Sequence, residues 1–258
     1  MASALLAVIF GGCCPPPGTE TVIVPKRRDD PRLRGLPDDR DALLKMADAL
    51  SSAPQDAARL DRALASLQKA GDKADGFDVR WRRARVCFLM TEVQTQRHQQ
   101  LRYAREGLRH ARRAVKLDSA RVEGHYYLAT NLGRIAETRG DLALLKPMIA
   151  AAERARAIDE RFDHAGPLVY LGKLYLTAPP WPVSVGSPQK AIQLLLRAVS
   201  IAPRPLTRVF LGEAYFEDEQ YKRAIEQLER ALEQRDALTE RWRKEAERYL
   251  KRAREEQN

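Results

Sequence analysis

Cysteine is nearly absent from this chain: three residues in 258, two of them adjacent at Cys13 and Cys14. The lone Cys87 excludes a disulfide framework in the rest of the chain. Flanked by Val86 and Phe88, it is expected to be a buried thiol and not a nucleophile. Aromatic residues make up only 7% against 31% charged residues, a balance that favours long amphipathic helices over a sheet-rich core. Proline is missing between Gln55 and Lys146 and after Pro205, while six of the 15 prolines precede Asp38 and seven fall between Pro167 and Pro205. Long proline-free stretches are what helices need. No run of 18 apolar residues occurs, so no helix of the mature chain is expected to span a membrane.

Catalytic signatures are missing as well. There is no phosphate-binding glycine loop, no Gly-x-Gly-x-x-Gly and no His-Glu-x-x-His. Pro182-Val-Ser184-Val-Gly186 lacks the first glycine of a nucleophile elbow and follows a proline turn, so Ser184 reads as a loop hydroxyl. His98, His110, His125 and His164 have no ligand spacing and read as surface or groove histidines rather than a metal site. The expectation is a non-enzymatic protein with no metal and no cofactor.

The amino terminus is distinctive. A short apolar stretch ending at Phe10 leads into Gly11-Gly12-Cys13-Cys14 and three prolines. This resembles a signal segment with a bacterial lipobox over residues 1–14, which implies lipidation at Cys13. Residues 15–37 then read as a proline-rich, semi-rigid tether. The implied location is the bacterial cell envelope, lipid-anchored and facing the periplasm; the alternative is a cytoplasmic chain with an apolar terminus.

A repeat emerges from spacing over residues 38–258. Leu211-Gly212, Tyr215, Tyr221, Ala224, Leu228 and Ala231 stand where a 34-residue tetratricopeptide repeat (TPR) places its marks. Leu171-Gly172, Tyr175, Ala191, Leu195, Ala198 and Pro203 reproduce them one unit earlier, with seven additional residues after Tyr175. Further back, Leu128-Ala129 and Leu132 answer to Met148, Ala152 and Ala155, again with about seven extra residues. Trp81, Ala84 and Phe88 open a more degenerate unit. The units read as 78–119, 122–160, 165–203 and 205–238, preceded by helices over 39–51 and 54–70 and followed by a polar capping helix over 239–256. The chain thus resembles the TPR family. The resemblance implies an all-α, right-handed superhelical solenoid of stacked antiparallel helix pairs whose concave face binds a partner protein or small ligand. The overall layout, with Ala178-Pro-Pro-Trp181-Pro and Gly186, is also similar to the T-component proteins of TRAP transporters, which implies a periplasmic solute-binding protein as partner. The alternative function is a general scaffold for envelope complex assembly.

Carrying the TPR groove positions over places Arg82, Tyr126, Thr130, Arg134, Lys173, Glu213 and Phe216 on that face, together with Val169, Leu176 and Val209. The apolar members could equally fill space between helices. A TPR clamp for terminal carboxylates is not expected, because only Asn131 and Lys173 come near its pattern. Trp181 is expected either to seal a gap between repeats or to anchor a partner.

The formal charge of +10 is unevenly placed: residues 80–121 hold 12 Lys or Arg against three acidic residues. Arg102, Arg105, Arg109, Arg112, Arg113 and Lys116 recur at three and four, opposite an apolar face. Anionic lipid or an acidic partner suits that patch; nucleic acid is unlikely there, because Tyr103 is the only aromatic among them.

Overall fold

The computed structural model describes residues 30–52, 56–180 and 184–257. Eleven α-helices and no strands are found among them: α1 Arg40–Ser52, α2 Ala57–Lys73, α3 Phe77–Val93, α4 Arg97–Leu117, α5 Val122–Arg139, α6 Leu145–Ile158, α7 Phe162–Thr177, α8 Pro188–Ile201, α9 Pro205–Glu217, α10 Tyr221–Leu232 and α11 Glu240–Gln257. Their ends follow local chemistry. Asp39 accepts from Ala42 N at 2.7 Å and Asp56 from Arg59 N at 2.8 Å, which satisfies backbone donors that a first helical turn leaves orphaned. Pro188 and Pro205 occupy the first turns of α8 and α9, where no backbone N–H is needed. Gly140, at φ 72°, ends α5 in the left-handed conformation.

The seven extra residues of the 122–160 unit are absorbed without a long loop, by extension of α5 to Arg139 and a 3-10 turn at Leu142–Leu144. In the 165–203 unit, by contrast, the extra length lies between α7 and α8, in an excursion of which residues 178–180 and 184–187 are described. Backbone bonds close its base, Gly186 N to Pro179 O at 2.9 Å and Ser187 N to Tyr175 O at 2.8 Å. The start of α7 is also irregular: Asp163, His164 and Ala165 have φ of 47°, 58° and 64° before the regular turns that begin near Pro167.

The chain divides into two compact units, through Ala151 and from Ala152. In the first, helices α1 to α5 stack as antiparallel neighbours, with α1, α3 and α5 side by side as the first helices of their pairs. Leu43, Ala47, Leu60, Leu67, Val79, Val86 and Met90 form one continuous core there. In the second unit α7, α9 and α11 lie side by side, with α8 and α10 behind them. The core runs from Leu195 through Val209, Leu211 and Leu228 to Tyr249 and Ala253. One packing relation recurs in consecutive pairs. A Cβ on Gly172 would lie 2.7 Å from Leu195 Cγ, and one on Gly212 would lie 2.6 Å from Leu228 Cγ. Close approach of the two helices of a pair therefore requires glycine at both positions.

Helix α11 buries Ala246, Tyr249 and Ala253 against α9 and α10, half-buries Trp242 and keeps most of its charged residues exposed.

Candidate interaction surfaces

The residues carried over from the TPR groove lie on the first helices of their pairs, and most of their charges are already matched. In the first unit Arg82 of α3 lays its Nε against both carboxylate oxygens of Asp48 on α1, at 3.0 Å each. Its guanidinium also stands 4.4 Å over the Trp81 ring. Asp78 of α3 lies 3.3 Å from Arg121 at the start of α5. Burial would raise the Asp78 pKa, but Arg121 and Arg82 outweigh it and hold the carboxyl below its usual range. Arg134 of α5 pairs with Glu92 of α3 and with Glu137, and covers Phe88. Each cation on a later helix thus meets a carboxylate on the helix before it. Tyr126 is half-buried and edge-on to Tyr127, whose ring stacks on Trp81 at 6.1 Å.

Thr130 departs from the expected groove role. It is 3% exposed and its hydroxyl donates to Tyr127 O, so it belongs to the interior of α5. Asn131 is fully buried, its Nδ2 donating to Ala84 O at 3.1 Å and Tyr127 O at 2.8 Å. It ties α5 to α3 and presents nothing to a ligand.

In the second unit Lys173 of α7 donates to Glu213 of α9 at 2.8 Å and sits 4.8 Å from the Phe210 ring. Tyr249 of α11 donates its hydroxyl to the other Glu213 oxygen at 3.3 Å. Phe216 is 7% exposed, edge-on to Tyr249 and capped by the Arg252 guanidinium at 4.5 Å. Val209 is fully buried, and Val169 and Leu176 pack against the same core. Phe216 and Val209 are therefore covered core residues, because α11 lies on the face where they were expected to be open. Burial, with Glu213 next to it, raises the Glu217 pKa, and burial also pushes the Tyr249 phenol up.

The cationic row on α4 is where spacing places it: Arg102, Arg105, Arg109, Arg112, Arg113 and Lys116 are all exposed. Beneath it the histidines divide. His98 and His164 are exposed, whereas His110 and His125 are buried, against the expectation of surface or groove positions. Arg80 of α3 donates to His110 Nδ1 at 3.0 Å. An arginine only donates, so that nitrogen carries no proton and the ring proton sits on Nε2, 3.7 Å from a Glu106 oxygen. Cys87 is buried, and burial pushes its thiol up. No cluster of His, Cys, Asp and Glu that could hold a metal occurs among the described residues. Cys13 and Trp181 lie outside the described residues.

The aromatic and acidic partners escaped sequence reasoning. Trp242, Ala246, Tyr249 and Ala253 recur at three and four, a signal that was available in α11. Asp48, Asp78 and Glu92 gave no signal, because only the fold brings them opposite their cations.

Residues 43–147 match the family model described as regulator of microtubule dynamics protein 1-3. No curated protein matches the chain. Among solved structures, the thermophilic TPR protein TTC0263 of Thermus thermophilus is 18% identical, over 82% of this chain and 99% of that one, with a TM-score of 0.63. A MamA structure is 20% identical over 75% and 90% of the two chains, with a TM-score of 0.45. Yeast Tom70 is 14% identical over 87% and 66%, with a TM-score of 0.35. The likeness to TTC0263 establishes the fold as a TPR-like array of helix pairs.

Proposed function

We propose that this chain is a non-enzymatic adaptor that holds a partner protein on the first-helix faces of its repeats. The supporting observation is that the polar side chains of those faces are held by their neighbours, Arg82 by Asp48 and Asp78, Arg134 by Glu92, and Lys173 by Glu213. A surface whose rotamers are already fixed loses little side-chain entropy when a partner docks, so modest contacts suffice for affinity. Lipidation at Cys13 would tether the adaptor to the bacterial envelope on the periplasmic side, and the 15–37 segment would give it reach. In that setting the adaptor serves as the T-component of a TRAP-type uptake system with a periplasmic solute-binding protein as partner. The alternative is a general scaffold for envelope complex assembly.

A photo-crosslinking residue placed at Tyr126, with the products identified by mass spectrometry, tests this reading. A solute-binding protein joined there supports the uptake role, and an assembly component supports the scaffold. The absence of any crosslinked protein from position 126 would sink the proposal. Labelling by palmitate that disappears in Cys13→Ser tests the anchor separately.

A further inference from the structure

The exposed cations of α4 stand apart from the charged faces of α10 and α11. On α11, Arg243 and Lys244 pair with Glu240, Arg248 with Glu245 and Lys251 with Glu255; on α10, Arg230 pairs with Glu226. These faces are charge-mixed: glutamates lie among all their cations, including Lys222, Arg223, Arg241 and Arg252, which form no ion pair among the described residues. Helix α4 carries one acidic residue, Glu106, which lies 3.8 Å from Arg109 and otherwise turns toward the buried His110. Arg105, Arg112 and Lys116 form no ion pair among the described residues, and Arg113 meets only the field of Asp75, whose carboxyl Arg80 already holds. Like charges crowded at three and four on a helix cost stability, so the row is unfavourable in the free protein.

We propose that this row is a docking strip for an acidic helical segment of a protein partner, separate from the first-helix faces and independent of the reading given for them. Four observations select that occupant. At 1.5 Å per residue, Arg102 to Lys116 spans about 21 Å, with a cation roughly every 5 Å. A second helix with glutamates at three and four carries carboxylates at the same interval. Five of the six cations are arginines, whose forked donors match carboxylates in pairs. Lasting attachment of a helix to a membrane takes an apolar face as well as cations, which alone give only a weak surface hold. The apolar face of α4, formed by Ala104, Gly107, Ala111 and Ala114, is instead buried within the protein. Base stacking is equally poorly served, since Tyr103 is half-buried and already covered by Arg102 at 4.7 Å.

The test uses the full chain and a fluorescein-labelled helical peptide with glutamates at three and four, beside the same peptide with glutamines. Anisotropy should show binding of the glutamate peptide alone, weakening with salt. Arg105→Gln/Arg112→Gln/Arg113→Gln should weaken it by about tenfold or more, because close charge pairs across an interface carry much of its affinity. The charge-matched Arg241→Gln/Lys244→Gln/Lys251→Gln variant on α11 should bind as the parent does. Carbodiimide coupling of the peptide to Lys116 of the unaltered protein, mapped by mass spectrometry, gives the same answer without a variant. The proposal is overturned by no binding, by equal loss in both variants, or by coupling spread over other lysines. It is also overturned if vesicles of phosphatidylcholine and phosphatidylglycerol, or a nucleic acid duplex, bind through α4 while the peptide does not.

Discussion

Gly107 and Asn131 claim the same space: a Cβ added at position 107 would lie 2.1 Å from Asn131 Oδ1 and 2.6 Å from its Cγ. The amide cannot swing aside, because its Nδ2 is bonded to two backbone carbonyls. Gly107→Ala would gain up to about 1 kcal/mol of helix propensity in α4. Overpacking of roughly 1–3 kcal/mol should outweigh that gain. A lower urea midpoint for Gly107→Ala is the expected result, and a raised one would show that the α4–α5 contact is looser than described.

Stability should fall in mild acid because of His110. Burial lowers its pKa first of all; Glu106 pulls the other way, while Arg83 and Arg80 add to the lowering. Below about pH 6.5 the unfolded chain protonates this ring while the folded protein resists, so the unfolded state binds more protons. Stability is then fully present above that pH and declines as the pH drops toward the folded value. His110→Gln should flatten this part of the profile when urea midpoints are compared at neutral and mildly acidic pH.

Glu213 accepts from both Lys173 and Tyr249, and its removal strands two donors at once. Glu213→Ala is expected to cost roughly 1–3 kcal/mol and Tyr249→Phe about 1 kcal/mol. In a thermodynamic cycle the double variant should fall short of the sum, since the two side chains share one bond. Strict additivity in thermal unfolding would separate α11 from this cluster.

A methyl group at position 186 would lie 2.1 Å from the Ala178 carbonyl oxygen and 2.8 Å from that of Pro179. Both are backbone atoms at the closed base of the excursion, so the strain cannot be relieved by a rotamer change. Gly186→Ala should open that base and speed limited proteolysis between Ala178 and Ser187, with little change in helical circular dichroism. Unchanged cleavage would mean the excursion is not closed at its base.

Leu171-Gly172 and Leu211-Gly212 were legible because a helix contact that close admits no side chain, and that constraint writes itself into the sequence at a fixed spacing. The partners of Arg82 and Lys173 were not legible. Repeat spacing places a residue on a face but does not say which charge the next helix will bring, and Asp48 is 34 positions from Arg82. Between groove and core, the choice for Phe216 stayed open for a related reason: it depended on α11, whose abundant charge concealed the inward row of Trp242, Ala246, Tyr249 and Ala253.

The ion pairs between first helices also have a direction. In the first unit the carboxylate lies on the earlier helix and the cation on the later one, as in Asp48 with Arg82, Asp78 with Arg121 and Glu92 with Arg134. In the second unit Lys173 comes first and Glu213 follows. A repeat copied from one unit into the other would therefore set like charge against like at its new border. Within the first unit, by contrast, a duplicated repeat would meet opposite charge at both edges, so the array could be lengthened there without rewriting its borders, whereas a module moved between units would need new ones.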